Sequence, residues 1–328
     1  MRKLRLVVVG AGQFGRNHCR VVQESERAEL VAVVDIDPAR ASEGAAASGA
    51  QALTSTHGLE GRVDAAIVAV PTSVHEEVAD PLLEAGIDVL VEKPIASDLE
   101  SATRLIDGAE RHGRILQVGH LERFNPAVLE LERRATLPLF FEIHRLNLFS
   151  PRSLDVDVVL DLMIHDVDIV LALTRAEPQE IRAAGISILS GKVDIANVRL
   201  QFPNGCVANL TASRISTERV RKLRLFQPQQ YLSLDYTRQD LAIFSVGAAA
   251  QAYHPLAGRI GFEQAPVAKA EPLKLQLESF LDCVETRSQP KCTGRSARQT
   301  LRVAMAILDK IGEHSELVSR TLVAGWKP

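Results

Sequence analysis

The sequence predicts an α/β chain in two parts: a parallel sheet covered by helices on both faces, then an α+β domain built on an open, mainly antiparallel sheet. Three observations carry this expectation. The chain has 328 residues, too many for one ordinary hydrophobic core, so two domains are the leading division. Up to about residue 120, short β-branched runs alternate with longer amphipathic stretches, the rhythm of strands joined by helical crossovers. After Gly119 strand-like runs follow one another through short turns, which places the boundary between 1–120 and 121–328.

In the first part, strands are expected at Leu4–Val9, Leu30–Asp35, Val63–Val70, Val89–Val91 and Ile115–Val118, several of them apolar at nearly every position, as strands covered on both faces are. Helices fall between them at Gln13–Glu24, Pro38–Ser48, Val74–Ala85 and Leu99–His112. Asp37 and Pro38 supply a cap and a first-turn proline, and Gly86 stops the third helix. In the second part, a helix at Asn125–Thr136 and a strand at Leu139–Leu148 lead into a helix at Val158–Leu173. Strands follow at Glu180–Leu189, Val193–Phe202, Cys206–Ser213, Lys222–Phe226, Tyr231–Tyr236 and Asp240–Ser245. Pro203-Asn204-Gly205 marks a hairpin, because Asn-Gly accepts the positive φ values that tight turns need. Helices at Leu273–Thr286 and Ser296–Glu313 close the chain. Helices on one face of an open sheet leave the other to be covered, and a second copy of the chain, in a homodimer or homotetramer, is the expected cover.

Composition excludes several classes. The chain is 46% hydrophobic and 24% charged, enough to fold without metals or disulfides. Lys plus Arg number 38 against 41 Asp plus Glu, with no long run of either sign, so nucleic acid is not an expected partner. Cys19, Cys206, Cys283 and Cys292 form no C-x-x-C pair, which encodes neither a zinc ribbon nor a secreted disulfide framework. The opening MRKLRLVVVGAG does not have the shape of a signal peptide, and Val156–Leu173 is interrupted by four aspartates and a histidine, so a cytoplasmic protein without a membrane span is expected.

Gly10-Ala11-Gly12-Gln13-Phe14-Gly15 follows a strand and opens a helix, the context in which G-x-G-x-x-G signals an N-terminal Rossmann dinucleotide-binding domain. Gly10 permits the tight turn, Gly12 lets the backbone approach a pyrophosphate, and Gly15 lets helix and strand pack closely. Gln13 and Phe14 are expected to offer backbone N–H groups at the helix N-terminus. Asp35, twenty residues past Gly15, can accept hydrogen bonds from a ribose and repel a 2′-phosphate, which favours NAD over NADP. Asp37 reads as a helix cap, with a ribose role the alternative. A glycine turn without ligand and a methyltransferase-like site are the competing readings of the fingerprint; a Walker loop is absent.

Glu92-Lys93-Pro94 lies just past a buried strand, at the carboxyl edge where ligands of open α/β sheets collect, and Pro71, Thr72 and His75 follow another strand at that edge. All are assigned to the cofactor side. A salt-bridged Lys93 and a structural His75 are the alternatives. Asp161 and His165, four apart, project from one helical face; a carboxylate beside an imidazole raises its basicity and selects its tautomer, which suits a general base acting on an alcohol. A structural buried pair and metal ligation by Asp161, His165, Asp166 or Asp168 remain as rivals, and no metal is expected.

The glycine turn, Glu92-Lys93-Pro94 and Asp161-x-x-x-His165, in this order and spacing, resemble the Gfo/Idh/MocA family of sugar and polyol dehydrogenases over nearly the whole chain. The resemblance implies a Rossmann domain before an open-sheet domain, Lys93 beside the nicotinamide, and Asp161 and His165 serving the reacting hydroxyl. Residues Gly119–Ala127 and Asp155–Asp166 are similar, more narrowly, to the branch that oxidises the 3-hydroxyl of UDP-N-acetylglucosamine, giving a 3-keto sugar for transamination in lipid A synthesis. Dehydrogenases of UDP-N-acetylglucosaminuronate, inositol and other sugars share the catalytic set. In the implied reaction His165 takes the hydroxyl proton, hydride leaves for NAD, and Lys93 stabilises the alkoxide. Arg123, Asn125 and Arg152 are assigned to a sugar or sugar-nucleotide substrate, with surface salt bridging as their alternative. Arg214, Arg219 and Arg221 read as a solvated cluster or subunit contact. A cofactor-binding sensor without turnover is the reading from another class, and the joint presence of Lys93, Asp161 and His165 argues against it.

Overall fold

A computed structural model of the protein describes residues 2–149, 156–246 and 260–323. The chain divides into two compact units, Met1–Phe124 with Glu271–Leu301, and Asn125–Ala270 with Arg302–Pro328.

The first unit carries β1 (Leu4–Val9), α1 (Gln13–Glu24), β2 (Ala28–Val34), α2 (Pro38–Ala46), β3 (Gln51–Leu53), β4 (Ala65–Val68), α3 (His75–Glu84), β5 (Asp88–Glu92), α4 (Leu99–Arg111) and β6 (Leu116–Gly119). All pairings are parallel and the strand order is β3-β2-β1-β4-β5-β6. This is the doubly wound Rossmann order, whose ligand edge is the carboxyl end of the strands. The register brings Val34, Val9, Val68 and Val91 level across four strands, so the segments that follow them emerge together at that edge.

The second unit contains α5 (Pro126–Arg134), β7 (Phe140–Leu148), α6 (Ile164–Thr174), β8 (Glu180–Ile186), β9 (Ile195–Gln201), β10 (Val207–Ser216), β11 (Val220–Gln227), β12 (Gln230–Asp235), β13 (Asp240–Val246) and β14 (Ile260–Gln264). Its eight strands run β14-β13-β12-β11-β7-β10-β9-β8, antiparallel except where β7 meets β10. Residues from alternate positions of these strands (Phe141, Ile143, Leu210, Leu223, Leu232) pack with Val159, Val167 and Val170 in one core. The hairpin at Asn204-Gly205 forms as expected, with Gly205 at φ +83°.

Two helices complete the chain, α7 (Pro272–Thr286) and α8 (Gly294–Val323). Here the observed division differs from the expected one. Leu273, Leu277, Phe280 and Leu281 of α7 share a cluster with Leu6, Val8, Leu30 and Leu90 of the parallel sheet, so α7 and the start of α8 return to the first unit. An amphipathic pattern marks the face a helix buries, not the sheet that receives it. Strands β3 and β14 escaped the sequence reading, the first because it has three residues and the second because all five are exposed. The helix expected at Val158–Leu173 begins instead with a π turn over Val159–Met163, in which the Ile164 N–H donates to the Val159 carbonyl, and α6 follows. Among the described residues no helix is long and apolar enough to cross a membrane.

Candidate active site

Site residues occur in both units. In the first, Gly10 adopts φ +93°, and a Cβ there would lie 2.6 Å from the Ala69 carbonyl oxygen. A Cβ on Gly15 would meet the Gly10 carbonyl oxygen at 1.7 Å, which ties the start of α1 to the turn below it. Above Gly12 the space is open: nothing stands within 4 Å of where a Cβ would project. The first full helical turn closes with Arg16 donating to the Gly12 carbonyl, so the earlier N–H groups point forward from the helix end. Two crowded glycines and one open one are the arrangement that admits a pyrophosphate to the backbone. The chain therefore fits a dinucleotide.

Asp35 follows β2 and is buried; Oδ2 accepts from the Ala11 N–H at 2.7 Å and Oδ1 from the Asp37 N–H at 2.9 Å. Its carboxylate thus pins the glycine turn, using two of about four acceptor positions. Asp37 is the cap of α2, accepting from the Ala39 N–H at 2.9 Å. Two apolar side chains flank this edge in the open, Phe14 at 55% and Ile36 at 93% exposure. Ile36 escaped the sequence reading, although an isoleucine between two aspartates just past a strand was its available signal.

The Glu92-Lys93-Pro94 turn leaves β5 at the same edge, with a cis bond before Pro94 and Lys93 partly exposed. Glu92 does not project into the open. Its Oε1 lies 2.8 Å from Nε2 of the buried His18 on α1, and a Cβ on Gly119 would sit 2.9 Å from its carboxyl group. Burial alone would push the Glu92 carboxyl up, but the His18 hydrogen bond and the nearby Lys93 charge outweigh it and hold it below its usual range. His75 is buried too, with ring nitrogens 2.9 Å from the Pro94 carbonyl oxygen and 3.0 Å from that of Val70. Burial pushes its imidazole pKa down. These two side chains, assigned from sequence to cofactor contact, are engaged with the protein around Lys93. Thr72 opens a short 3₁₀ turn behind the exposed Pro71.

In the second unit, every residue from Val158 to Leu171 is buried except Leu160, Asp161 and His165. The two candidate catalytic groups therefore share the accessible side of an otherwise enclosed segment. Directly after His165, the Asp166 carboxylate receives two hydrogen bonds from the buried Arg145 of β7, both 2.8 Å. The Tyr236 hydroxyl donates to Asp166 at 3.3 Å, and its ring lies 4.8 Å from the Arg145 guanidinium carbon. Sequence reasoning missed this cluster. Its signal was Arg145 at an inward position in the alternation Phe141, Ile143, Arg145.

The substrate assignments separate. Asn125 is buried, capping α5 through the Ala127 N–H and donating to the Tyr236 carbonyl at 3.0 Å, so its amide is committed to the fold. Arg123 is partly exposed in the 3₁₀ turn Leu121–Phe124, and Arg152 lies outside the described residues. Arg214, expected to be solvated or at a subunit contact, is instead buried, pairing with Asp194 and donating to the Val156 carbonyl. Its position beside an aspartate with no exposure accounts for the difference, since a buried carboxylate needs a compensating charge. Among the described residues no group of three or more His, Cys, Asp or Glu is disposed to hold a metal ion.

Residues 4–120 match the model of an oxidoreductase family with an NAD-binding Rossmann fold, and residues 143–229 match the GFO/IDH/MocA C-terminal domain. The chain belongs to the Gfo/Idh/MocA family. It is 36% identical over 94% of its length to the UDP-N-acetylglucosamine 3-dehydrogenase of Acidithiobacillus ferrooxidans, of which it covers 97%. A crystal structure of that enzyme superposes with a TM-score of 0.89, covering 96% of this chain and 99% of the other. An inositol 2-dehydrogenase of Corynebacterium glutamicum is 31% identical over 64% of this chain and 66% of its own. As a Gfo/Idh/MocA oxidoreductase, the protein has in its first unit an NAD-binding Rossmann domain, and its second is the mostly antiparallel domain of the family.

Proposed function

We propose that this oxidoreductase converts the 3-hydroxyl of UDP-N-acetylglucosamine to a ketone, supplying a 3-keto sugar nucleotide for amino-sugar and lipid A synthesis. The carrying observation is the accessible Asp161–His165 pair on an otherwise buried segment, in a chain similar over nearly its whole length to a dehydrogenase of that sugar nucleotide. When bound, NAD supplies the acceptor for hydride. The glycine turn and the α1 N-terminus hold its pyrophosphate and Asp35 its adenosine ribose, with Pro71 and Thr72 at the same sheet edge. His165 takes the hydroxyl proton at a ring nitrogen, Asp161 orients the ring, and Lys93 stabilises the developing alkoxide with its ammonium group. Arg123 and Arg152 serve the substrate diphosphate.

The test is a panel of UDP-N-acetylglucosamine, UDP-N-acetylglucosaminuronate and myo-inositol, each with NAD and NADP, followed by the absorbance of the reduced nicotinamide. Turnover of the first with NAD is expected. Preference for inositol would move the protein to the other relatives, and no reduction of either cofactor with any sugar would support a sensor.

The outer face of the second unit's sheet supports a homo-oligomer. Phe140, Phe226, Tyr231, Phe244 and Phe262 form a continuous ring ladder across five strands, with successive centroids 4.8–5.8 Å apart. Phe226 and Phe262 are 38% and 63% exposed, and a second copy covers this band in a homodimer or homotetramer. The protein acts in the cytoplasm, where both the sugar nucleotide and NAD are at hand.

A further inference from the structure

The helix that follows the π turn lacks the usual device for setting its own rotation. A surface helix is oriented by the boundary between its apolar and polar sides. In α6, however, Ile164, Val167, Ile169, Val170 and Leu171 are buried on all sides, together with Asp166 and Asp168. Apolar packing of this kind is non-directional and marks no one side of the helix for His165. The preceding π turn shifts the angular phase between Asp161 and His165 from the α-helical value, so simple helical spacing does not set their relative direction.

Against this background Arg145 and Asp166 stand out. Both are about 2% exposed, deep in the core of the second unit, where an ion pair is costly to desolvate and apolar residues would pack as well. What the pair supplies is direction. A planar guanidinium bound through two parallel hydrogen bonds fixes the carboxylate in angle as well as distance. Tyr236 restrains both partners, its hydroxyl on the carboxylate and its ring against the guanidinium. Asp166 is the next residue to His165, so fixing one fixes the direction in which the other leaves the helix.

We propose that Arg145, with Asp166 and Tyr236, is a rotational lock on α6, a positioning set that holds the His165 ring on the accessible side of the segment. The inference rests on the reading of His165 as the base, but its test separates the two. The probe is the full-length protein carrying Arg145→Met with Asp166→Leu, which removes both charges of the pair together. This variant is expected to fold with a thermal midpoint near that of the unaltered protein. Its kcat for the sugar oxidised in the panel falls about tenfold or more, because a misplaced base loses near-attack geometry, while KM for NAD stays unchanged. In a His165→Ala background the same pair of substitutions causes no further loss of the residual rate.

A readout independent of turnover is the ring Cε1–H resonance of His165, assigned by its disappearance in His165→Ala. One narrow line is expected in the unaltered protein, and a split or broadened line in the double variant. An unchanged line with an unchanged kcat in the folded variant would overturn the lock, as would an equal loss of rate in the His165→Ala background. If His165→Ala itself keeps the full rate, the catalytic reading fails and the resonance alone decides the lock. Should the double variant not fold, Arg145→Lys retains the charge without the two-pronged geometry. It is expected to broaden the same resonance and lower kcat, and if it leaves both as they were, the lock is refuted.

Discussion

Where the Glu92-Lys93-Pro94 turn leaves β5, Glu92 is the last residue in register with β6, and buried imidazoles take up groups around the turn. The His75 ring lies between the Pro94 and Val70 carbonyls, and His18 holds the Glu92 side chain. The segment bearing Asp161 and His165 presents a different problem. A helix consumes most of its own backbone hydrogen bonds, so past its first turn little on its main chain is left for a neighbour to grip. Beyond the first residue, where the Val158 N–H donates to the Val193 carbonyl, the restraint described above comes through side chains, from Arg145 to Asp166. The turn is held by polar side chains reaching its backbone and its carboxylate, and the buried helix by an ion reaching its side chain. Asp194 extends the first half of this contrast. Its carboxylate accepts from the successive N–H groups of Ile188, Leu189 and Ser190 and gathers the β8–β9 loop.

Experiments can break this contrast, beginning with the largest effect. Asp166→Ala takes away the carboxylate that receives two hydrogen bonds from the buried Arg145, and urea unfolding is expected to show a loss of about 3–5 kcal/mol. A loss no greater than that of an ordinary surface substitution would remove the ion pair from the account. Lys93→Met and His165→Ala are each expected to lower kcat by ~100-fold or more with little change in stability, measured with the sugar oxidised in the panel. Rates within a few-fold of the unaltered protein would refute the roles given to both.

The Asp194 knot gives a pH test. Burial would raise this carboxyl, but the Ser190 hydroxyl and three backbone N–H groups bring it down to about 2. A group whose folded value lies below its unfolded value, about 3.9 for Asp, stabilises fully above the latter and loses that contribution as pH falls through the former. The stability gap between the unaltered protein and Asp194→Asn, about 2 kcal/mol at neutral pH, should therefore narrow as the solution is acidified below about pH 4. A gap that is constant or widens there contradicts the assignment. Tyr236→Phe removes a single hydroxyl from Asp166 and should cost only about 0.5–1.5 kcal/mol in the same unfolding assay.

Much of the first unit was legible because its strands are apolar runs closed by turn glycines, and because the motif glycines occupy positions where a Cβ has no room or no place. The second unit was harder to read. Strand β14 pairs through its backbone with all its residues exposed, so no alternation of buried side chains announces it. The π turn depends on which carbonyl Ile164 chooses, and side-chain periodicity does not record that choice. Asn125 has a fold role that the sequence reading passed over. Asn125-Pro126 carries the same cap-and-proline chemistry that was recognised at Asp37-Pro38, and the structure shows a cap at both. The acidic end of the Lys93 motif was equally deceptive, since a charged residue at the ligand edge of a sheet reads as a contact, whereas Glu92 faces His18.

The return of α7 to the parallel sheet also governs how the protein is made. A ribosome emitting the chain in order releases all six parallel strands long before Leu273, Leu277 and Phe280 appear, and that stretch of sheet stays uncovered in the meantime. The NAD-binding unit is complete only when residues up to Leu301 have emerged. A gene fragment stopped at Phe124 would accordingly yield a sticky, unfinished product in place of a working nucleotide-binding module.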